Sequence, residues 1–454
     1  MLSVSDETTE APVDHTAQRL VFRPDDAGYE AEIAGMQTGF VTRPDLVFGA
    51  KSADDVVAAV AYAAGAGLPV GVQATGHGVP GAAEGGVLIS TRRMDAVRID
   101  PDARTAAIGA GARWGQVVEA AVEHGLAPLN GTAPSVGAVG YTLGGGLGIL
   151  GREFGYAADH VRSVDVVTGD GVLRHVTRDS DPELFWGLLG GGAQLGVVTE
   201  LEIGLVPVAR LYGGALTFDG RAVDPAAVLR GYEAWTRTLP DEVTSSLAAL
   251  VYPDLPQLPP HLRGSYLVLI RVAFTGSEAE GERLVAPLRE IGPMVSDTLR
   301  EMPYAESPSI HGDPDFPHAF YGDNAVLSTL DVDAAGAVLA LTGPDAAAMH
   351  ILQLNHLGGA LARPAENAVP YRGAGWLLRL LSPLDGTDVE SHRKVHAEAF
   401  GLVAPQTLGR SLNFVFGGSD RPEGLYDAET RKRLAGLKAT YDPANLFRRN
   451  YSVS

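Results

Sequence analysis

The chain has 454 residues, 45% apolar and 20% charged, with 35 basic against 55 acidic side chains, a net charge of −20 at pH 7 and no cysteine. That length and composition suit a globular protein of two or three domains. They exclude disulfides, thiolate metal sites and a cysteine nucleophile. The acidic balance, without Lys/Arg clusters, speaks against nucleic-acid and anionic-membrane partners.

The opening MLSVSDETTEAPVDH is acidic and polar, with neither a basic n-region nor an apolar h-region. No signal peptide is expected, residues 1–16 read as a mobile tail, and a cytoplasmic location follows. No window reaches the roughly 18 uninterrupted apolar residues of a membrane span. FGAKSADDVVAAVAYAAGAGLPVGVQ reads as strand, helix, strand. Ser52 caps the helix with Asp55 three residues on, and Val56, Val57, Val60, Ala61 and Ala64 form its apolar face. AAIGAGARWGQVVEAAVEHGLAPL repeats the scheme, with a helix over about 114–124 and Gly125 as its stop. VRSVDVVTGDGVLRHVT is a hairpin around Gly169-Asp170-Gly171, DPELFWGLLG a short helix begun by Asp181 or Pro182, and GVVTELEIGLV a strand. Beyond about residue 209 longer strands appear, such as GSYLVLIRVAF and AMHILQLNH, with helices such as EAEGERLVAPLREIG and DVESHRKVHAEAF. This alternation predicts an antiparallel sheet with helices on one face. TRKRLAGLKATYDPANLFRRNYSVS is a helix followed by an irregular tail.

Two stretches carry chemistry. NGTAPSVGAVGYTLGGGLGILGREFGYAADHV is dense in glycine interleaved with Val, Leu and Ile, as expected where a ligand approaches the main chain. PVGVQATGHGVPGAAEGGVLIS sets one histidine, His77, between two glycines at the end of a strand. GAGARWG is one residue too long for a dinucleotide fingerprint, and no acidic residue ends a strand about 20 positions on, so a Rossmann site is rejected. His311, His318 and His356 read as scattered, without metal-ligand spacing, and no metal is expected.

In order, GVQATGHG, GGVLISTRRMDAVRIDPDARTAAIGAGARWGQV, SVGAVGYTLGGGLGILGREFGYAADHVRSVDVVTGDG, DPELFWGLLGGGAQLGVVTELEI and the terminal YDPANLFRRN resemble berberine-bridge-enzyme-type FAD-linked oxidases, within the vanillyl-alcohol-oxidase/PCMH superfamily. The resemblance implies an α+β fold. A PCMH-type FAD-binding domain would span 17–208, a substrate (cap) domain with a helix-covered antiparallel sheet 209–425, and a segment over 426–454 would return to the FAD domain.

In that family the histidine of the Gly-His loop bonds to the 8α-methyl carbon of FAD; here it is His77. The resemblance places Val72, Gln73, Ala74, Thr75, Gly76 and Gly78 beside it at the cofactor. Val136, Gly137, Gly140, Tyr141, Thr142, Gly145, Gly146, Gly148, Val198, Asn450 and Tyr451 join them. Many relatives also link flavin C6 to a cysteine. That position reads Ala133, so attachment through His77 alone is expected.

Relatives that oxidise alcohols or sugars use tyrosines and a carboxylate as proton acceptors. The matching positions read Val79, Leu147, Arg379, and Leu412 and Phe414 flanking Asn413. A chamber more apolar than a sugar site is therefore expected, with a hydrophobic or aromatic substrate. Arg379 and Asn413 are candidate catalytic residues, with Tyr321, His356 and Tyr371 as remaining acceptors. Arg379 facing the ring would favour an anionic phenolate, an enolate or the reduced flavin; the alternative is a surface residue paired with an acid. Val136 matches a position where valine admits oxygen, which implies an oxidase acting on a small secondary metabolite with O2. A dehydrogenase using another acceptor and a flavoprotein that sequesters a planar molecule are the other readings. Oligomeric state is not legible.

Overall fold

The computed structural model describes residues 20–451 apart from 257, 261, 385, 387, 419 and 420, so the tail expected over 1–16 lies outside it. Three parallel strands, Leu46–Gly49, Val87–Ser90 and Val70–Gln73, make the first sheet, with Leu20–Phe22 antiparallel at its edge. The helix Ala53–Ala66 crosses between two of them, and its N-cap Ser52 hydroxyl accepts from the Asp55 amide at 3.3 Å. Its buried face is Val56, Ala59, Val60 and Ala63, an unbroken i, i+3, i+4, i+7 stripe. Val57 is only half-buried, and Ala61 and Ala64 face solvent, contrary to the expected stripe.

A second sheet runs Leu173–Thr177, Val161–Val167, Val197–Gly204, Thr105–Gly109 and Val97–Asp100, all antiparallel. The hairpin lies where it was expected, with Gly171 at φ 75°. The helices Trp114–Val122 and Pro182–Leu188 follow, the latter capped by the Asp181 carboxylate on the Leu184 amide at 3.1 Å. The glycines of GAGARWG serve packing: a Cβ at Gly109 or Gly111 would stand 2.2 Å from the carbonyl of Met94 or Thr91.

The third sheet is antiparallel throughout. Its order is Met294–Asp297, Arg210–Asp219, Tyr266–Phe274, Val243–Val251, Ile351–His356, Trp376–Pro383, Phe320–Leu327 and Thr407–Gly409, with Arg300–Pro303 also on Arg210–Asp219. The helices Pro225–Thr236, Glu278–Arg289, Val332–Leu341 and Val389–Leu402 cover one face, as the alternation predicts. On that side Phe218, Leu247, Ile270, Leu354 and Leu378 pack against Tyr232, Leu288 and Val338 with almost no exposure. Each such side chain contributes about 1.5–3 kcal/mol on burial, so this face holds the sheet to its helices. The opposite face looks toward the first two sheets.

The helix Ala428–Tyr441 returns to those sheets. Leu434 and Leu437 join the core of the second, and Leu446 and Phe447 the core of the first. The Val70 amide donates to the Leu446 carbonyl at 2.7 Å. No helix among the described residues is long and apolar enough to cross a membrane.

Candidate active site

A cavity of about 440 Å³ lies between the third sheet and the first two. One wall is the loop after Val70–Gln73. Gly76 has φ +69°, and a Cβ there would meet the Gly35 Cα at 2.7 Å, so only glycine fits. That tight turn presents His77 to the cavity. Its Nδ1 lies 2.8 Å from the Thr75 hydroxyl oxygen and its Nε2 3.3 Å from that of Ser135. Burial, with Arg113 and His318 adding to it, pushes the imidazole down to about 4, so it is neutral at pH 7.

A second wall is the glycine-rich segment. The Tyr141 hydroxyl is buried without a partner, and burial pushes its pKa well up. The Asn413 amide donates to the Tyr141 carbonyl at 2.8 Å, while a Cβ at Gly144 would sit 1.8 Å from Asn413 Oδ1. Asn413 thus fixes this loop's position. Asn450 and Tyr451 close the end, the Asn450 amide donating to the Ala193 carbonyl at 3.0 Å and the Tyr451 hydroxyl to the Val415 carbonyl at 2.8 Å.

The third sheet supplies the roof. Arg379 points inward: its guanidinium lies 3.7 Å from the Phe414 ring centroid and donates to Gln353 Oε1 at 3.0 Å. Burial lowers its pKa to about 10, so it stays charged at pH 7. No acid lies within 4.0 Å of it among the described residues, unlike the surface-pair alternative. Arg271, Ser246, Asn355 and His356 complete the roof, and His311 and Asp313 enter from the loop before Phe320–Leu327. The Thr132 hydroxyl donates to Asp313 Oδ2. Desolvation would raise the Asp313 carboxyl, but the neighbouring His311, then that hydrogen bond, and then Arg271 and Arg379 hold it below its ordinary value. Burial and Arg271 push His311 down, so it is neutral. The roof therefore sets charged and polar groups into a chamber whose lining is otherwise mostly apolar.

Of the residues expected at the cofactor, Val72, Gln73, Ala74, Thr75, Gly76, His77, Gly78, Val136, Gly137, Gly140, Tyr141, Gly148, Asn450 and Tyr451 line this cavity. Thr142, Gly145, Gly146 and Val198 lie outside it. The Thr142 hydroxyl turns back to the Ala138 carbonyl at 2.8 Å, Gly145 abuts Val369, Gly146 lies under Tyr141 and Ala157, and Val198 is core. Arg379 and Asn413 reach the cavity; Tyr321 and Tyr371 do not. Tyr321 stands on the opposite side of its strand, its ring 4.9 Å from His396 and its hydroxyl accepting from Arg421. The Tyr371 hydroxyl donates to the Gly424 carbonyl at 2.9 Å. His356 lines the chamber, with its Nε2 3.3 Å from Arg152 Nη1. His311, His318 and His356, read as scattered, all border the chamber, and the sequence also holds an H-x-x-x-H pair, His392 and His396, one turn apart on Val389–Leu402. Among the described residues no group of three or more His, Cys, Asp or Glu is placed to hold a metal ion.

Arg271, Ser246, Asn355, His311 and Asp313 are the site residues that sequence reasoning missed. Arg271 had a signal: one charge within an apolar strand, at an inward position, needs a polar destination. Asp313, in the loop sequence HGDPDFPH, had none.

The residues fit a flavin dinucleotide. Gly78 and Gly140 border the cavity with open space where a side chain would stand, so bare backbone faces it. A neutral imidazole and an unpartnered buried hydroxyl face the same space. Residues 44–177 match the FAD binding domain family, and residues 405–454 the berberine and berberine-like family. (R)-6-hydroxynicotine oxidase of Paenarthrobacter nicotinovorans is 29% identical over 458 residues, covering 96% of each chain. An FAD-linked oxidoreductase of Dictyostelium discoideum is 24% identical, covering 96% of this chain and 94% of its own. The crystal structure of 6-hydroxy-D-nicotine oxidase from Arthrobacter nicotinovorans superposes with a TM-score of 0.82 at 26% identity, over 96% of this chain and 98% of that one. Glucooligosaccharide oxidase from Acremonium strictum, described with a 6-S-cysteinyl, 8α-N1-histidyl FAD, shares the fold at a TM-score of 0.84 and 21% identity, over 96% and 97%. The chain thus carries an FAD binding domain segment and a berberine-like segment in order, and over 96% of its length it is similar to FAD-linked oxidoreductases.

Proposed function

We propose that this protein is an oxidase that takes a hydride from an aromatic or hydrophobic small molecule, passes the electrons to O2 with release of H2O2, and holds its FAD through His77 alone. The carrying observation is His77: a neutral imidazole, fixed on both nitrogens, in the wall of a cavity within a chain that has no cysteine. Bound FAD supplies the hydride acceptor. The chain's residues do the rest. Thr75 and Ser135 orient the His77 ring. Phe320, Phe414 and Phe416 give the chamber aromatic surface for a flat substrate. Asp313, ionised and held by Thr132, takes the proton of a substrate O–H or N–H as the adjacent C–H is lost as hydride. Val136 borders the cavity, where a small side chain leaves a path for oxygen.

Anaerobic titration with candidate aromatic alcohols and amines, followed by admission of air, tests the reading. Bleaching of the flavin, then oxygen uptake matched by peroxide, is the expected result. Bleaching that air does not reverse would make the protein a dehydrogenase. No bleaching by any tightly bound candidate would leave it a binder.

A further inference from the structure

The roof of the chamber carries a polar row that the fold leaves incomplete. Ser246 pairs in register with Arg271 on one side and with Asn355 on the other. Residues directly opposite on antiparallel strands share a face and stand about 4.5–5.5 Å apart, so the three side chains form one line across three strands. All three border the cavity. Arg271 Nε, Ser246 Oγ and Asn355 Oδ1 are each buried with no hydrogen-bond partner. Native folds satisfy buried polar atoms, and exceptions grouped in one cavity point to a ligand.

Charge narrows the ligand. Among the described residues, neither Arg271 nor Arg379 has a carboxylate within 4.0 Å, and Asp313 is the one carboxylate bordering the cavity. Arg271, Arg379 and Arg449 against that one carboxylate leave positive charge facing the cavity. A buried cation without a counter-charge is costly, so the arrangement favours an occupant that supplies one. Two of the free groups, Arg271 Nε–H and the Ser246 hydroxyl, can donate to a single oxygen; Asn355 Oδ1 can accept from a donor beside it.

We infer that the substrate carries an anionic oxygen, as a carboxylate or a phenolate, bound by Arg271 and Ser246, with a hydrogen-bond donor toward Asn355. This rests on the reading of the cavity as the substrate chamber, and it adds a requirement that the reading does not contain: an acid group on the aromatic or hydrophobic frame.

The test measures binding rather than turnover. Isothermal titration at pH 8 with benzoate, 4-nitrophenolate and neutral benzamide, together with perturbation of the flavin's visible spectrum, reads the preference for charge. Wild type is expected to bind at least one anion at least about tenfold tighter than benzamide, the scale of one charge-assisted hydrogen bond. Which anion wins separates carboxylate from phenolate. Arg271→Gln should abolish the difference while holding benzamide affinity and bound flavin constant. Should that variant not fold, Ser246→Ala should weaken the preferred anion several-fold and leave benzamide unchanged. Equal binding of anions and benzamide by wild type, or an anion preference that survives Arg271→Gln or Ser246→Ala, overturns the inference. Failure of the oxidase reading shows separately, as absent oxygen uptake with the calorimetric preference intact.

Discussion

His77 and Thr75 face each other across one turn of the same loop, with Nδ1 2.8 Å from the threonine hydroxyl oxygen. The contact and the Ser135 hydroxyl opposite leave the ring one orientation, and its depressed pKa keeps it unprotonated and nucleophilic. The expected outcome is FAD that stays with the chain in acid, visible as one added FAD in the intact mass. His77→Ala should release the flavin on denaturation while still binding it in the fold. Thr75→Ala should lower the covalent fraction without lowering total flavin. Flavin that leaves wild type freely in acid refutes the attachment.

Asp313 is expected to act as the proton acceptor. Asp313→Asn should slow anaerobic flavin reduction by about a hundredfold or more, the usual contribution of a positioned base, with bound flavin unchanged. The sign of its pH dependence follows from the depressed carboxyl: the acceptor form is present above the ordinary carboxylate value and lost only as pH falls below it. Thr132→Val removes the hydrogen bond that favours the charged form and should move the acid limb of kcat/KM upward. A pH profile identical in wild type and Thr132→Val would assign that limb elsewhere.

The first half of the site was legible because its chemistry is written in backbone. A loop that must turn tightly beside a ligand needs glycine at fixed positions, and Gly76 and Gly137 stand out in one dimension. The roof was not legible for the opposite reason. Ser246, Arg271 and Asn355 belong to three separate strands, and only their register makes them a row. Sequence spacing says nothing about pairing between strands. Tyr321 shows the same limit at finer scale: it was a candidate acceptor, but alternation along Phe320–Leu327 places it on the helix-covered side with His396 rather than toward the chamber. In the helix Ala53–Ala66 the expected face was Val56, Val57, Val60, Ala61 and Ala64; the buried one keeps Val56 and Val60 but is completed by Ala59 and Ala63.

Behind the roof, the Ser382 hydroxyl bridges His350 Nδ1 and His396 Nε2, each at 2.8 Å, and all three residues are buried. Burial, with His392 adding to it, pushes His350 down to about 4. This pair's contribution to stability is complete above the free imidazole value of 6.5 and is lost as pH falls from there through about 4, because the unfolded chain takes up protons the fold refuses. Each such histidine costs about 1.4 kcal/mol per pH unit in that window. Urea unfolding at pH 7.5 and pH 5 should show the loss, and His350→Asn should reduce the difference by that one histidine's share. An unchanged slope would mean that His350 does not titrate in this range.

Lys438 and Asp442 form a buried ion pair at 2.7 Å, and the same carboxylate accepts the Leu446 and Phe447 amides at 2.8 and 2.9 Å. One side chain thus ties the return segment to the first sheet. Asp442→Ala leaves a buried cation and two amides unpaired and should cost about 3–5 kcal/mol. Because Asn450 and Tyr451 close the cavity just beyond, flavin content should fall with stability. Full flavin content in a folded Asp442→Ala protein would separate the tail from the cofactor.

Val136 tests the oxidase assignment directly. Its side chain borders the cavity, and its backbone is fixed on both sides, the carbonyl accepting from the Trp114 amide at 3.0 Å and the amide donating to the Ala133 carbonyl at 3.3 Å. Behind it lies the core of Trp114 and Ala138, both almost fully buried. A larger side chain there cannot retreat by moving the backbone, and the core leaves no room in the other direction. The one extra methylene of leucine must therefore enter the cavity. Overpacking of this kind costs about 1–3 kcal/mol, and about 1.4 kcal/mol is tenfold in rate. Val136→Leu should slow reoxidation of reduced flavin by air at least about tenfold, while anaerobic reduction by substrate changes little. Stopped-flow measurement of the two half-reactions decides it. If the variant reoxidises as fast as wild type, oxygen arrives by another route and Val136 is packing alone.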